Sequence, residues 1–212
     1  YTETSGVNTV VLESMDDLEP VARSLATTMS LFSAQMCTSP QNIYVPQQGI
    51  ATAAGHLTFE QVASGIAEAV QKLLGDPARA VEILGAVVND GVMARLEKAR
   101  ALGKVVLDTQ AIAHPLYPQA RIRTPLLVKL GAAEGDRYLA EWFGPVSFVI
   151  ATDSTAASLA IAKDAVTAHG ALTLSVYARD QAVIERAIET AEDAGVALSI
   201  NLTGGVFVNQ SA

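Results

Sequence analysis

The sequence is nearly without cysteine. Cys37 is the only one in 212 residues. A lone thiol excludes an internal disulfide and suits a reducing cytoplasm. Aromatic residues make up only 5% of the chain, so Ala, Val, Leu and Ile must fill the interior. Charged residues reach only 17%, and 14 Lys and Arg face 22 Asp and Glu, for a net charge of -8. No basic cluster is present, which excludes a surface for polyphosphate and hence a nucleic-acid partner. No window of about 18 consecutive apolar residues occurs, so no membrane-spanning helix is expected. His56, His114 and His169 stand far apart without ligand spacing, so no metal centre is expected. Gly204-Gly205 lacks the other glycines and the following helix of a dinucleotide fingerprint, and reads as a turn.

What is present is an apolar chain, half of it hydrophobic, long enough for one large packed domain. Asn8 to Leu12 reads as an extended run. Leu18, Val21, Leu25, Met29 and Phe32 then recur at steps of three and four, one face of a helix with Pro20 in its first turn. Thr58 to Leu74 predicts a second helix, with Thr58 and Gln61 as a capping box and Gly75-Asp76-Pro77 closing it. Pro77 to Val88 and Val92 to Leu102 are shorter helical patterns. Strands are expected at Ile43–Val45, Lys104–Leu107, Pro125–Leu130 and Val146–Ile150. The rest alternates: helix 154–169, strand 171–177, helix 180–194, strands 196–200 and 206–208. Such alternation predicts an α/β fold of three layers, α/β/α, around a mostly parallel sheet. Residues 110–123 are the least regular and read as surface loop.

Three segments could carry chemistry. Cys37 lies in Ala34-Gln35-Met36-Cys37-Thr38-Ser39-Pro40, a polar stretch between a helix and a strand. By residue type alone a free cysteine is most often a small buried hydrophobe. A loop setting instead favours a reactive group. Glu3, in Glu3-Thr4-Ser5-Gly6, reads by itself as an ordinary charged residue. Glu141-Trp142-Phe143-Gly144-Pro145 precedes a strand, and its carboxylate could equally be a plain loop residue.

Taken in order, the three segments resemble the aldehyde dehydrogenase superfamily, which keeps Glu-Leu-Gly-Gly, Gly-Gln-x-Cys and Glu-x-Phe-Gly-Pro. The resemblance runs over essentially the whole chain and implies the fold of that family's cysteine-bearing catalytic domain. It implies that Cys37 is the catalytic nucleophile and Glu3 the general base. Glu141 would hold the nicotinamide ribose and Phe143 would pack near the ring, with NAD or NADP as cofactor. A thiol suits this role because its thiolate adds readily to a carbonyl and leaves a thioester that water can open. Glu3 points to a hydrolytic, acid-forming enzyme. An acyl-transferring relative that makes a coenzyme A thioester, or a noncatalytic module with the same fold, is the alternative. The family often has Arg five residues after the cysteine, and this chain has Asn42. The wording Cys37-Thr38-Ser39-Pro40-Gln41-Asn42-Ile43-Tyr44-Val45-Pro46 is most similar to the phenylacetic acid degradation branch, implying a semialdehyde substrate that is possibly CoA-linked.

The chain opens at Tyr1 inside the first motif and stops soon after a strand-like run. It therefore reads as residues 1–212 of a catalytic domain, with the upstream cofactor domain and a C-terminal tail lying elsewhere. A sheet divided in this way would expose an edge, so a homo-oligomer is expected.

Overall fold

The computed structural model describes residues 6–204. The strands are β1 (Thr9–Leu12), β2 (Asn42–Pro46), β3 (Ile50–Thr52), β4 (Gly55–Leu57), β5 (Lys104–Leu107), β6 (Ala111–Ile112), β7 (Ile122–Arg123), β8 (Leu126–Gly131), β9 (Val146–Thr152), β10 (Thr173–Tyr177) and β11 (Ala197–Ile200). The helices are α1 (Leu18–Ser30), α2 (Phe59–Leu73), α3 (Pro77–Leu84), α4 (Asp90–Arg100), α5 (Gly135–Tyr138), α6 (Thr155–His169) and α7 (Gln181–Ala194). Seven strands form the main sheet in the order β11-β10-β1-β2-β9-β8-β5. Every pairing in it is parallel except β5 with β8.

The sheet has a core on each face, which makes three layers. Val10, Leu12, Ile43, Val45, Leu127 and Val149 face one core, beneath Val21, Leu25 and Met29 of α1 and Val62 and Ile66 of α2. Their chain neighbours Val11, Tyr44, Val128, Phe148 and Ile150 face the other, beneath Leu96 of α4, Leu159 of α6 and Val183 of α7. Side chains alternate along a strand, so a sheet covered on both faces needs apolar residues at every position. β1, β2 and β10 are buried from end to end for that reason.

The helix ends follow their local chemistry. Thr58 and Gln61 form the expected capping box. Asp76, with Pro77 behind it, caps α3. Gly195 closes α7 in the left-handed conformation at φ 66°. Several boundaries differ from expectation: α4 lies two residues earlier than the expected 92–102, and β10 begins at Thr173 rather than at 171. α1 stops at Ser30 rather than carrying its apolar face to Phe32, because Phe32, Ser33 and Ala34 turn left-handed. α3 stops at Leu84 rather than Val88, because Gly85 takes φ 67° and Val87 instead donates its N–H to Arg121 O at 2.7 Å.

Residues 110–123 are not plain loop. β6 and β7 form a short antiparallel ribbon there, held at its base by Thr109 Oγ1 donating to Thr124 O at 2.6 Å. The β3–β4 hairpin also escaped the periodicity, since strands of three residues are too short to show one. The strand expected at 206–208 lies outside the described residues.

Candidate active site

β1, β2 and β9 are adjacent and parallel, so the loops that precede them gather at one end of the sheet. Those loops carry Gly6 to Asn8, Cys37 to Gln41, and Glu141 to Pro145. Ligands in open α/β sheets usually bind at the carboxyl ends of the strands. Here the residues singled out in the sequence lie at the amino ends.

The cysteine loop is built in three steps. After α1, Phe32, Ser33 and Ala34 hold φ values of 54°, 54° and 49°. Left-handed backbone costs ordinary residues about 1–2 kcal/mol each, so other contacts must hold it. Ser33 is fully buried and donates its hydroxyl to Leu84 O at 2.8 Å, while Gln35 Nε2 bridges Phe32 O at 3.0 Å and Ala86 O at 3.1 Å. Ala34 stands where the Gly-Gln-x-Cys motif has glycine, and its positive φ gives the reason for glycine there. Cys37 follows, exposed. Asn8 then fastens the loop: its Nδ2 donates to Cys37 O at 2.7 Å and Ser39 O at 3.1 Å. Its Oδ1 accepts from Leu172 N at 2.9 Å and Thr173 N at 3.0 Å. One side-chain amide therefore uses both donors and both lone pairs.

The second loop is fixed just as firmly. Gln41 is buried, and its side-chain amide contacts the backbone of Tyr138, Ala140 and Trp142. Trp142 is buried edge-on to Phe148, with its indole N–H donating to Arg137 O at 3.0 Å. Glu141 stays exposed, and its Oε1 accepts the Gly6 N–H at 3.2 Å. Phe143 is half-buried, and its carbonyl accepts from Arg95 Nε at 2.8 Å. Gly144 takes φ 127°, and a Cβ on it would lie 2.6 Å from Val92 Cγ1. Beneath both loops Asn42 is fully buried, donating to Tyr44 OH at 3.3 Å and Tyr138 O at 3.2 Å. This position, where the family often has Arg, therefore faces inward in this chain. Burial pushes the Tyr44 phenol well above its ordinary range, with the neighbouring Tyr138 adding to the rise.

Cys37, Glu141 and Phe143 line one small cleft of ≈ 20 Å³, with Asn8, Met36, Ser39 and Gln41 around them. The structure thus brings together three of the four residues singled out in the sequence. Glu3 lies outside the described residues. Sequence reading missed the two residues that hold the cleft, Asn8 and Gln41. A signal existed, since a polar amide directly before each of two apolar strands is out of pattern.

The aldehyde dehydrogenase family profile matches residues 1–208. The chain belongs to the aldehyde dehydrogenase family. An NAD-dependent aldehyde dehydrogenase from Burkholderia multivorans is 59% identical, with a TM-score of 0.97 over 100% of this chain and 38% of that one. Two more distant structures share the fold. Proline utilization A from Bradyrhizobium japonicum is 21% identical (TM-score 0.69, covering 99% of this chain and 20% of that one). An NAD-dependent benzaldehyde dehydrogenase from Corynebacterium glutamicum is 22% identical (TM-score 0.59, covering 92% and 39%). No curated protein sequence matches the chain. The chain spans 38% of the length of its Burkholderia relative. Among the described residues, no helix of this family member is long and apolar enough to cross a membrane.

Proposed function

We propose that the protein oxidises an aldehyde to a carboxylic acid with NAD, through a covalent adduct on Cys37. The observation that supports this reading is the cleft shared by an exposed thiol and an exposed carboxylate, Cys37 and Glu141. The name of the Burkholderia relative supports NAD as the oxidant.

The residues present fit such a cofactor. A carboxylate accepts two hydroxyl donors, so Glu141 would take the vicinal hydroxyls of the nicotinamide ribose. Phe143 would pack beside the ring. The bound nicotinamide supplies one thing, acceptance of a hydride. The protein does the rest. Cys37 sulfur adds as thiolate to the carbonyl carbon, a C–S bond forms, and the carbonyl oxygen takes the electron pair. When that pair re-forms the C=O bond, the aldehyde C–H bond breaks and the carbon is left as a thioester on Cys37. Glu3 takes a proton from water, the hydroxide adds to the thioester, and the C–S bond breaks with return of the Cys37 thiolate. Asn8 keeps Cys37 in place throughout, since its amide holds the Cys37 and Ser39 carbonyls.

The substrate class rests on sequence alone. The wording around Cys37 supports a semialdehyde from aromatic-ring or phenylacetate degradation, possibly CoA-linked, handled in the cytoplasm. We also expect self-association: among the described residues β11 is hydrogen-bonded on one side only, to β10.

The test is a steady-state assay of the whole protein, with any sequence beyond these 212 residues, using NAD and an aldehyde panel. NADH formation that depends on Cys37 and is accompanied by free acid supports the reading. No turnover with any aldehyde, or activity retained in Cys37→Ala, contradicts it.

A further inference from the structure

Glu141 sits on a loop rather than in a regular element, yet a carboxylate that grips a ribose needs a fixed backbone. Gln41 supplies the restraint. Its Nε2 donates to Ala140 O at 3.1 Å, and its Oε1 accepts from Trp142 N at 2.6 Å. The carbonyl before Glu141 and the N–H after it are therefore both held by one carboxamide. In a parallel ladder the N–H and C=O of one residue bind those same two backbone atoms of the next strand, so the side chain of Gln41 imitates one residue of a parallel strand. Nε2 also reaches Tyr138 O at 2.9 Å, at the end of α5. Gln41 itself cannot drift. Its N–H donates to Asn8 O at 3.1 Å and its carbonyl accepts from Phe148 N at 2.8 Å, and its side chain is buried.

We infer that Gln41 is a positioning residue that fixes Glu141, and with it the bound nicotinamide, relative to the Cys37 sulfur. This rests on the proposed role of Glu141. Gln41 lies on the same short segment as Cys37, directly before β2, so the thiol and the carboxylate are referenced to one piece of backbone. A glutamine is suited to this because it presents a donor and an acceptor side by side. Its apolar or acidic counterparts present at most one of the two at neutral pH.

Gln41→Glu tests the inference. The substitution keeps the acceptor for Trp142 N–H but turns an ionised oxygen toward the Ala140 and Tyr138 carbonyls. Trp142 is the only tryptophan in these 212 residues, and with any tryptophan elsewhere in the whole protein replaced by Phe its emission reports on this loop without any assay of activity. The expected result has four parts. Trp142 emission shifts to the red and becomes more open to acrylamide quenching. kcat/KM for NAD falls between ~10-fold and ~10²-fold, the scale of a displacement of about 1 Å at a reacting centre. KM for the aldehyde and the rate of Cys37 alkylation by iodoacetamide stay at wild-type values. The NAD defect shrinks as pH falls, because the introduced carboxyl, buried against carbonyls, takes up a proton and regains a donor. Gln41→Met, which can neither donate nor accept, should show the same emission change without the recovery at low pH, and it serves if Gln41→Glu does not fold.

Unchanged Trp142 emission and quenching in the folded variants would overturn the inference. So would a parallel loss of NAD affinity, aldehyde affinity and Cys37 reactivity, which marks general structural support. If the unsubstituted protein neither binds NAD nor oxidises aldehydes, the reading of Glu141 fails instead, and the Trp142 measurement still decides whether Gln41 holds the loop.

Discussion

The side-chain amide of Asn8 donates 2.7 Å to the carbonyl oxygen of Cys37. The only thiol of the chain therefore rides on a loop pinned from the residue directly before β1. The same amide holds Leu172 and Thr173 through its oxygen, so β1, the entry to β10 and the cysteine loop share one anchor.

Asn8→Asp should separate the two halves of that anchor. The carboxylate still accepts from Leu172 and Thr173 but turns acceptors toward the Cys37 and Ser39 carbonyls. Two unmade buried bonds should cost about 2–3 kcal/mol in stability. A chain of this size then loses roughly 2–4 °C in Tm per kcal/mol, which calorimetry reads directly. A Tm equal to that of the unsubstituted chain would show that the anchor contributes nothing.

Cys37→Ala should abolish NAD-dependent aldehyde oxidation while leaving the fold intact, because Cys37 is exposed and packs nothing essential. Glu3→Gln should slow release of the acid more than the reductive step, by about 10²–10⁴-fold, the usual weight of a general base. Stopped-flow absorbance should then show a burst of NADH followed by a slow phase. A Glu3→Gln protein with ordinary steady-state turnover and no burst would remove Glu3 from the mechanism.

Gly144→Ala should destabilise the Glu141 loop for two independent reasons. Its φ of 127° is outside the range of L-residues, and the added methyl meets Val92 Cγ1. Strained backbone of this kind costs on the order of 1–3 kcal/mol. Val92→Ala in the same molecule opens the space and not the dihedral, so denaturant titration should find only partial recovery. Full recovery in the double variant would mean that the clash alone mattered.

Alkaline pH should weaken the fold. Burial pushes Tyr177 up to about 12, and burial also raises Tyr44 and Tyr138 above the ordinary phenol value. A folded-state value above the unfolded one means the stabilisation is complete below about pH 10 and drains away as pH rises through the folded values. The phenolate absorbance of these three tyrosines should therefore appear late and together with loss of helical circular dichroism. Ionisation of all the tyrosines at ordinary pH in a still-folded chain would contradict this.

Much of the fold was legible from pattern because its physics is local. Thr58 and Gln61 satisfy helix-end donors within a few residues of each other, and Gly195 ends α7 by its own backbone freedom. Continuous apolar runs such as Val146–Ile150 mark strands buried on both faces wherever the rest of the chain lies. The ends of α1 and α3 were misread because both depend on one another: Ser33 is held in its left-handed turn by a carbonyl at the end of α3.

Sequence alone determined the composition of the chemistry: one thiol, two candidate carboxylates, Phe143 beside Glu141, and the alternation of helices and strands that makes the sheet parallel. Tertiary structure decided where they meet. The strand order places β1, β2 and β9 side by side, so loops distant in sequence open onto one cleft at their amino ends. It also decided what Asn8 and Gln41 are for. An amide before an apolar strand has no evident partner in the sequence, because the groups it binds, Cys37 O for one and the backbone flanking Glu141 for the other, come within hydrogen-bonding distance only when the sheet has formed.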